Sequence, residues 1–428
     1  MKKRILSALL TLVMLFSLAS VSFAGEADHW VSAWSTSPIN ASLSELGLLN
    51  NLGVTLLSVS SRVVITPTVS GDAVRLHFSN EYGLTPLHIS ACSVAKTDSN
   101  NRNIVCKGKK AVTFGGKTCY TIPAGKTVVS DPINFPVCAM SKISVTTYFR
   151  SFNTQRTVGL IGGRTYAVVG NYTNTPSMHL GVPLEYSASS GTYQVIPALM
   201  GVDVLSRDSS AANCVIFGDS TVANEIPRLL AEKLLDAGIT NVSVTQQAIK
   251  GNRLLQNGVG IGAKLLGESG LDRFERDVLD QPGVKYVIVK LGVNDIVHPF
   301  CKSKASRLVP VTVEEMTNAY AALVEMAHEK GIAIYFAELT PWKGYTRDIF
   351  GTGDDVQWTE EIDALRLGVN AWLASNECKA DGYIPLTSLA DPADPAALLP
   401  AYTTDGAHLT TAGQQAVVDC IATDLFVG

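Results

Sequence analysis

The spacing of apolar residues changes near residue 206 and splits the chain into two regimes. Before that point apolar and polar positions alternate. Val74, Leu76 and Phe78 interleave with Arg75, His77 and Ser79, and Ile143, Val145, Thr147 and Phe149 repeat the pattern. A period of two belongs to a strand with one buried face. Ser70-Gly71-Asp72 separates Arg62-Val63-Val64-Ile65 from the Val74 run, which predicts a hairpin. Turn clusters such as Pro123-Ala124-Gly125 punctuate the region, and no long helical period interrupts it. Residues 25–205 are therefore expected to form a β-sandwich or jelly-roll-like domain.

After residue 206, short apolar runs alternate with helical spacing. Strands are predicted at Cys214–Phe217, Val242–Ile249, Lys285–Leu291, Ile332–Leu339 and, more weakly, Tyr383–Leu386. Helices are predicted through Leu229–Leu235, after the capping box of Thr312 and Glu315, through Ile362–Leu373, and from Ala412 to Leu425. Repeated βα units with apolar strands imply a five-stranded parallel sheet covered by helices on both faces, a three-layer α/β/α domain over residues 206–428. In such sheets ligands bind beyond the carboxyl ends of the strands.

Composition narrows the setting. With 46% hydrophobic and only 17% charged residues, the chain has the makings of packed domains and not of a disordered polymer. Lys2, Lys3 and Arg4 precede an apolar stretch from Ile5 to about Leu18, and Ser22-Phe23-Ala24 offers small residues for cleavage. This reads as a signal peptide over residues 1–24 and predicts a secreted protein with no stable membrane insertion after cleavage, because the stretch is shorter than a span needs. Cleavage near Ala24 removes three basic residues and no acidic one, which takes the net charge from −4 to −7. A mildly acidic protein without a Lys/Arg cluster argues against nucleic acid as its partner. Eight cysteines fall four in each half; export makes disulfides possible, while Cys214, inside an apolar strand, is expected to be a buried free thiol. No C-x-x-C pair or H-E-x-x-H motif is present, so neither metal nor cofactor is expected.

Four polar signals follow the predicted strands. The first strand ends in Gly218-Asp219-Ser220-Thr221 and places a serine at a strand-to-helix turn. A serine hydroxyl is a weak nucleophile unless a base lies within about 3 Å. The second strand leads to Lys250-Gly251-Asn252-Arg253, where a glycine N–H can approach an oxyanion. The third ends in Gly292-Val293-Asn294-Asp295, which offers a side-chain amide at the same edge. Near the C-terminus, Asp405 precedes His408 by three residues, close enough for one turn to hold carboxylate against imidazole. Each signal alone is also consistent with a cap, a turn or a surface loop. Their order, each after its strand, is what makes them a set.

That order resembles the four blocks of SGNH (GDSL-type) hydrolases, whose Ser, Gly, Asn and His correspond here to Ser220, Gly251, Asn294 and His408. Asn252-Arg253-Leu254-Leu255, Leu271 to Leu279, Ala390 to Pro395 and His29 to Trp34 with Ser37-Pro38 extend the resemblance to the bacterial secreted esterases with an N-terminal β-domain. The resemblance implies a flavodoxin-like SGNH domain and a catalytic triad of Ser220, His408 and Asp405. It also implies an oxyanion hole from the Ser220 and Gly251 N–H groups and the Asn294 side chain. Departures are Thr221 where Leu or Ile is usual, Leu409-Thr410 for Pro-Asn, and Lys250 for a small residue. The expected reaction is cleavage of carboxylic esters through an acyl-enzyme. An O-acetylated extracellular glycan and a lipid or lysophospholipid ester both fit as substrate, and a binding protein on a hydrolase fold is the rival. Asp219 is expected to be structural and Asp295 to brace its loop. His298 is expected to be a loop histidine or a pocket wall, and Trp342 to cover the site or pack on the β-domain.

Overall fold

The computed structural model describes residues 29–41, 55–151, 153–188, 191–223, 225–258, 263–301, 308–345 and 357–427. The expected signal peptide lies outside the described residues. Two antiparallel sheets build the N-terminal half. One has four strands, in the order His29–Ser35, Leu199–Ser206, Ala73–Ser79, Thr127–Val129. The other has six, in the order Val182–Pro183, Arg164–Val169, Val59–Ile65, Ile143–Phe149, Ala91–Thr97, Ile104–Ala111. The alternating apolar residues meet in one core: Val74, Leu76 and Phe78 from the first sheet, Val63, Val94 and Val145 from the second.

The predicted hairpin does not form. Val59–Ile65 pairs with Ile143–Phe149 and Arg164–Val169, while Ala73–Ser79 pairs with Leu199–Ser206 in the other sheet. The Ser70-Gly71-Asp72 segment instead bridges to neighbours, Gly71 exchanging both backbone hydrogen bonds with Val137 and Asp72 donating to the Leu205 carbonyl. Crossing between sheets lets the apolar faces of both strands point at each other, which adjacent strands of one sheet cannot do.

In the C-terminal half we number the strands β1 (Ala212–Gly218), β2 (Val242–Ala248), β3 (Val284–Lys290), β4 (Ala333–Ala337) and β5 (Gly382–Ile384). The helices that cover them are α1 (Ile226–Asp236), α2 (Val313–Glu329), α3 (Glu360–Ser375) and α4 (Thr411–Asp419). The sheet is parallel throughout, in the order β2-β1-β3-β4-β5. This is the flavodoxin-like order, with its switch point between β1 and β3. Successive residues of β1 feed opposite cores: Cys214 and Ile216 pack with α1 and α4, Val215 and Phe217 with α2. Cys214 is a fully buried free thiol. The last predicted helix is shorter than expected. Lys233 of α1 donates to the carbonyls of Val418, Asp419 and Ile421, which ends α4 at Asp419, and a separate turn, Thr423–Phe426, follows.

β2 is an edge strand, yet every residue of it is buried. The β-domain covers it. Thr68 Oγ1 meets Ser243 Oγ at 2.9 Å, donates to the Val244 carbonyl and accepts from the Val244 N–H. Ser37 donates to Gln247 at 2.7 Å. The polar residues of β2 are thus interface residues, and the exposed ladder that an edge strand would offer is occupied. The proposed domain division near residue 206 falls in the link between strand Leu199–Ser206 and β1.

Candidate active site

β1, β2 and β3 end side by side, and the residues after each enter one pocket of about 280 Å³. Gly218 ends β1 where a side chain would collide with the Lys290 carbonyl and Val222, so only glycine lets the chain turn there. The turn leaves Ser220 at the pocket surface and sends Asp219 inward, where it is fully buried.

Ser220 Oγ lies 2.9 Å from His408 Nε2, across 188 residues of sequence. On the other side of the ring, His408 Nδ1 lies 2.8 Å from Asp405 Oδ2. A carboxylate only accepts, so this contact places the ring proton on Nδ1 and leaves Nε2 to accept the serine hydroxyl. Asp405 Oδ1 accepts the backbone N–H groups of His408 and Ala407, which fixes the carboxylate in the turn. Partial burial pushes the Asp405 carboxyl up, but the His408 ring, its charge and the two N–H donors outweigh that and hold it well below the usual carboxylate range. Tyr345 packs edge-on against the imidazole, with centroids 5.6 Å apart.

Gly251 and Asn294 line the same pocket. Gly251 has φ 74°, a left-handed conformation that a side chain resists, and a Cβ there would run into Leu266. Asn294 Nδ2 donates to the Asn252 carbonyl at 2.9 Å and to Asp219 Oδ2 at 3.1 Å. Both amide hydrogens are engaged in this state, so donation to an oxyanion requires sharing one of them. Behind Asn294, Asp295 accepts from the Leu254 and Leu255 N–H groups and so braces the loop after β2; burial pushes its carboxyl up to about 6.

Beneath the serine lies a network that the sequence reading did not single out. Lys290, at the end of β3, is 1% exposed and donates to Thr221 Oγ1 at 2.8 Å and to Thr340 Oγ1 at 3.2 Å. Asp219 Oδ1 accepts the Thr221 N–H. The uncommon Thr221 is thereby explained as a hydroxyl partner for a buried lysine. Burial pushes the Lys290 ammonium down to about 8 and the Asp219 carboxyl up, each charge partly sustaining the other. The signal was present: Lys290 closes the otherwise apolar run Tyr286 to Val289.

His298 is a buried pocket wall, and burial first, then Arg253, pushes its imidazole down to about 3, which keeps it neutral. Trp342 lines the pocket and packs in the core beside α2 and α3; its Nε1 has no hydrogen-bond partner. Lys250 lines the pocket with its ammonium 4.5 Å from the ring centroid of Tyr193. Tyr193 comes from the β-domain, and nothing in its sequence context announced it. Among the described residues no group of three His, Cys, Asp or Glu side chains is placed to hold a metal, and no helix is long and apolar enough to cross a membrane.

The model of the GDSL-like lipase/acylhydrolase family matches residues 214–421, a stretch that holds Ser220, Gly251, Asn294, Asp405 and His408. Residues 214–421 form an SGNH/GDSL-type hydrolase domain. The hydrolase is accordingly a carboxylic ester hydrolase by family. No curated protein matches it. Among solved structures, a GDSL-like lipase from Bacteroides thetaiotaomicron is 18% identical with a TM-score of 0.34, over 50% of the hydrolase and 87% of that chain. An acetyl xylan esterase from Geobacillus stearothermophilus is 15% identical with a TM-score of 0.35, over 49% and 93%. A family two carbohydrate esterase from Cellvibrio japonicus is 11% identical with a TM-score of 0.33, over 93% and 97%.

Proposed function

We propose that the hydrolase is secreted and removes short acyl groups, acetyl above all, from extracellular carbohydrate, with Ser220, His408 and Asp405 as its triad. The observation that carries the catalytic assignment is the unbroken chain of contacts from Asp405 Oδ2 through His408 to Ser220 Oγ at the pocket surface. Ser220 attacks the ester carbonyl while His408 Nε2 takes its proton. The tetrahedral oxyanion is received by the Ser220 and Gly251 N–H groups and the Asn294 amide. His408 then protonates the departing alkoxide. Water, deprotonated by His408, releases the carboxylic acid and restores the serine. Asp405 stays ionised throughout and stabilises the imidazolium.

Pocket size supports a short acyl group. About 280 Å³ lies at the small end of ligand cavities, and Leu266, Trp342 and Tyr345 narrow it. Export is supported by the basic start and apolar stretch of the first 24 residues.

Ser220→Ala is expected to abolish turnover of 4-nitrophenyl acetate, by about 10⁴-fold or more, with an unchanged circular dichroism spectrum. Full activity in that variant overturns the assignment. Acetate release from acetylated xylan is expected to exceed fatty-acid release from lysophospholipid; the reverse preference replaces the glycan reading with a lipase one.

A further inference from the structure

The charge of the chain is divided unevenly between the domains. Residues 206–428 carry 18 basic and 29 acidic residues, whereas residues 82–184, within the β-domain, carry 11 basic and only two acidic ones, Asp98 and Asp131. The acidic total hides this, and the expectation of a chain without a basic cluster fails at Lys107-Gly108-Lys109-Lys110. Neither acid offsets the excess. Asp131 accepts from the Thr113 hydroxyl and the Gly115 and Gly116 N–H groups, and Asp98 faces the buried Arg62.

Sheet register gathers these cations at one edge. Lys96 stands opposite Ile143 on one side and Val105 on the other, so Lys142, Lys96 and Lys107 fall within two residues of one row across three neighbouring strands. Such strands lie about 4.8 Å apart. The outermost strand, Ile104–Ala111, is the edge of the six-stranded sheet. Its pairing breaks after Val105, and the four residues Cys106 to Lys109 stand opposite the single Ala95. This bulge turns at Gly108, where φ is 86° and a Cβ would meet nothing within 4 Å. Lys96, Lys107, Lys110 and Lys142 are exposed. Where cations of the group have partners, those partners are neutral: Lys109 bonds Asn174, Lys142 bonds Asn101 at 3.2 Å, and Arg102 lies over the Tyr166 ring. Among the described residues none of them pairs with a carboxylate, so the positive field is not cancelled locally. A bulge and lysines also keep a sheet edge from pairing with other chains. That role covers Lys107, Lys109 and Lys110; it does not account for Lys96 and Lys142, which lie inside the edge.

We propose that this edge of the β-domain binds an acidic polysaccharide and so holds the hydrolase on a carbohydrate surface while the ester pocket turns over. That the partner is anionic follows from the charge; that it is a polysaccharide rests on the reading of the ester substrate as extracellular carbohydrate. Bilayers and nucleic acids fit less well. On the three strands of the cluster, Val105 is the one large apolar side chain open to solvent among the described residues, too little to enter a bilayer. Tyr166, the ring against Arg102, is buried and is not open to stack on a base.

The test is fluorescence anisotropy of end-labelled oligogalacturonate with the full-length protein, beside a neutral xylo-oligosaccharide of equal length, duplex DNA and phosphatidylglycerol vesicles. Oligogalacturonate is expected to bind about tenfold or more tighter than the neutral sugar, and to weaken about tenfold when salt is raised to about 0.3 M. The triple variant Lys96→Gln, Lys107→Gln, Lys110→Gln is expected to lose that preference and to keep full turnover of 4-nitrophenyl acetate. Lys285→Gln, Lys330→Gln, Lys379→Gln, an equal change of charge at exposed lysines of the hydrolase domain, is expected to keep it. Should the first triple variant not fold, Lys107→Gln alone, in the bulge, is expected to weaken binding about threefold. Equal affinity for charged and neutral sugar, tighter binding of DNA or vesicles than of oligogalacturonate, equal losses in the two triple variants, or unchanged binding in the first each overturns the proposal. Labelling of the wild-type protein by a fluorophosphonate reports the ester reading separately. Labelling without uronate binding removes the surface proposal alone; uronate binding without labelling keeps the surface and removes the catalytic reading.

Discussion

Among the described residues, one arginine in each domain has no exposed surface, Arg62 in the β-domain and Arg273 in the hydrolase domain. Arg62 donates to Thr146 Oγ1 and to the carbonyls of Arg102, Tyr172, Thr175 and Pro176. It tacks two long loops onto the six-stranded sheet, and burial pushes its guanidinium down to about 10. Arg273 donates to the Gly218 and Gln247 carbonyls, to Asn252 Oδ1, to Ser37 and to Asp277, and lies 4.1 Å from the Phe217 ring centroid. Those carbonyls end β1 and β2, one or a few residues before Asp219-Ser220 and Gly251. The same buried cation thus holds loops in one domain and strand ends that carry chemistry in the other. Burial of a charge is therefore no sign of function by itself. The backbone it grips decides.

The largest expected effect lies at the rim, where no buried arginine is involved. Asp405→Asn keeps the shape of the turn but loses the ionised acceptor that sets the His408 tautomer. A loss of about 10⁴-fold in kcat is expected, with the melting temperature nearly unchanged. If kcat falls by less than tenfold, the imidazole is oriented by something else and the triad assignment fails.

The two arginines come next. Arg62→Met and Arg273→Met are each expected to lower stability by about 3 kcal/mol, since each leaves several buried acceptors without a donor. Their effects on turnover are expected to part. The folded fraction of Arg62→Met keeps its kcat, whereas that of Arg273→Met loses about tenfold or more, because the ends of β1 and β2 are no longer fixed together. Chemical denaturation combined with active-site titration separates the two quantities. Equal losses of kcat per folded site would erase the distinction between the domains.

What could be read from the sequence follows the same division. β1 and β3 were legible because each is a largely apolar run that ends in a polar block, so both were located to within two residues of their bounds. Pairing in the β-domain was not. Period two says which face of a strand is buried and nothing about which strand lies beside it, so Val59–Ile65 was assigned to a near neighbour and not to Ile143–Phe149, some 80 residues away. The network under the serine was half legible: Thr221 stood out as a departure, while Lys290 passed as an ordinary residue of its strand although it closes an apolar run. Only the fold joins them. Tyr193 was invisible, because its place in the pocket depends on how the two domains meet.

The smallest predicted effect tests whether that network acts on the reaction or only fills the core. The Lys290 ammonium faces Thr221, Thr340 and Asp219, with Glu338 and Arg366 the other charges near it. While protonated, it offsets the Asp219 carboxylate, which sits on the Asn294 amide. As pH rises through about 8, Lys290 loses its proton and Asp219 is left as an uncompensated negative charge behind the developing oxyanion. The rate is expected to fall along an alkaline limb near that pH. Lys290→Met is expected to lower the plateau of kcat by about tenfold, to leave KM little changed, and to lose the limb, because the titrating group is gone. Stability carries an independent sign. The folded-state value lies below the ordinary 10.5, so between about pH 8 and 10.5 the unfolded chain holds a proton that the native protein does not, and wild-type stability gains relative to Lys290→Met as pH rises through that window. A core-filling lysine would lower stability on substitution but leave the alkaline limb in place. A variant that keeps the limb therefore returns Lys290 to the role of Arg62, a cation buried for structure alone.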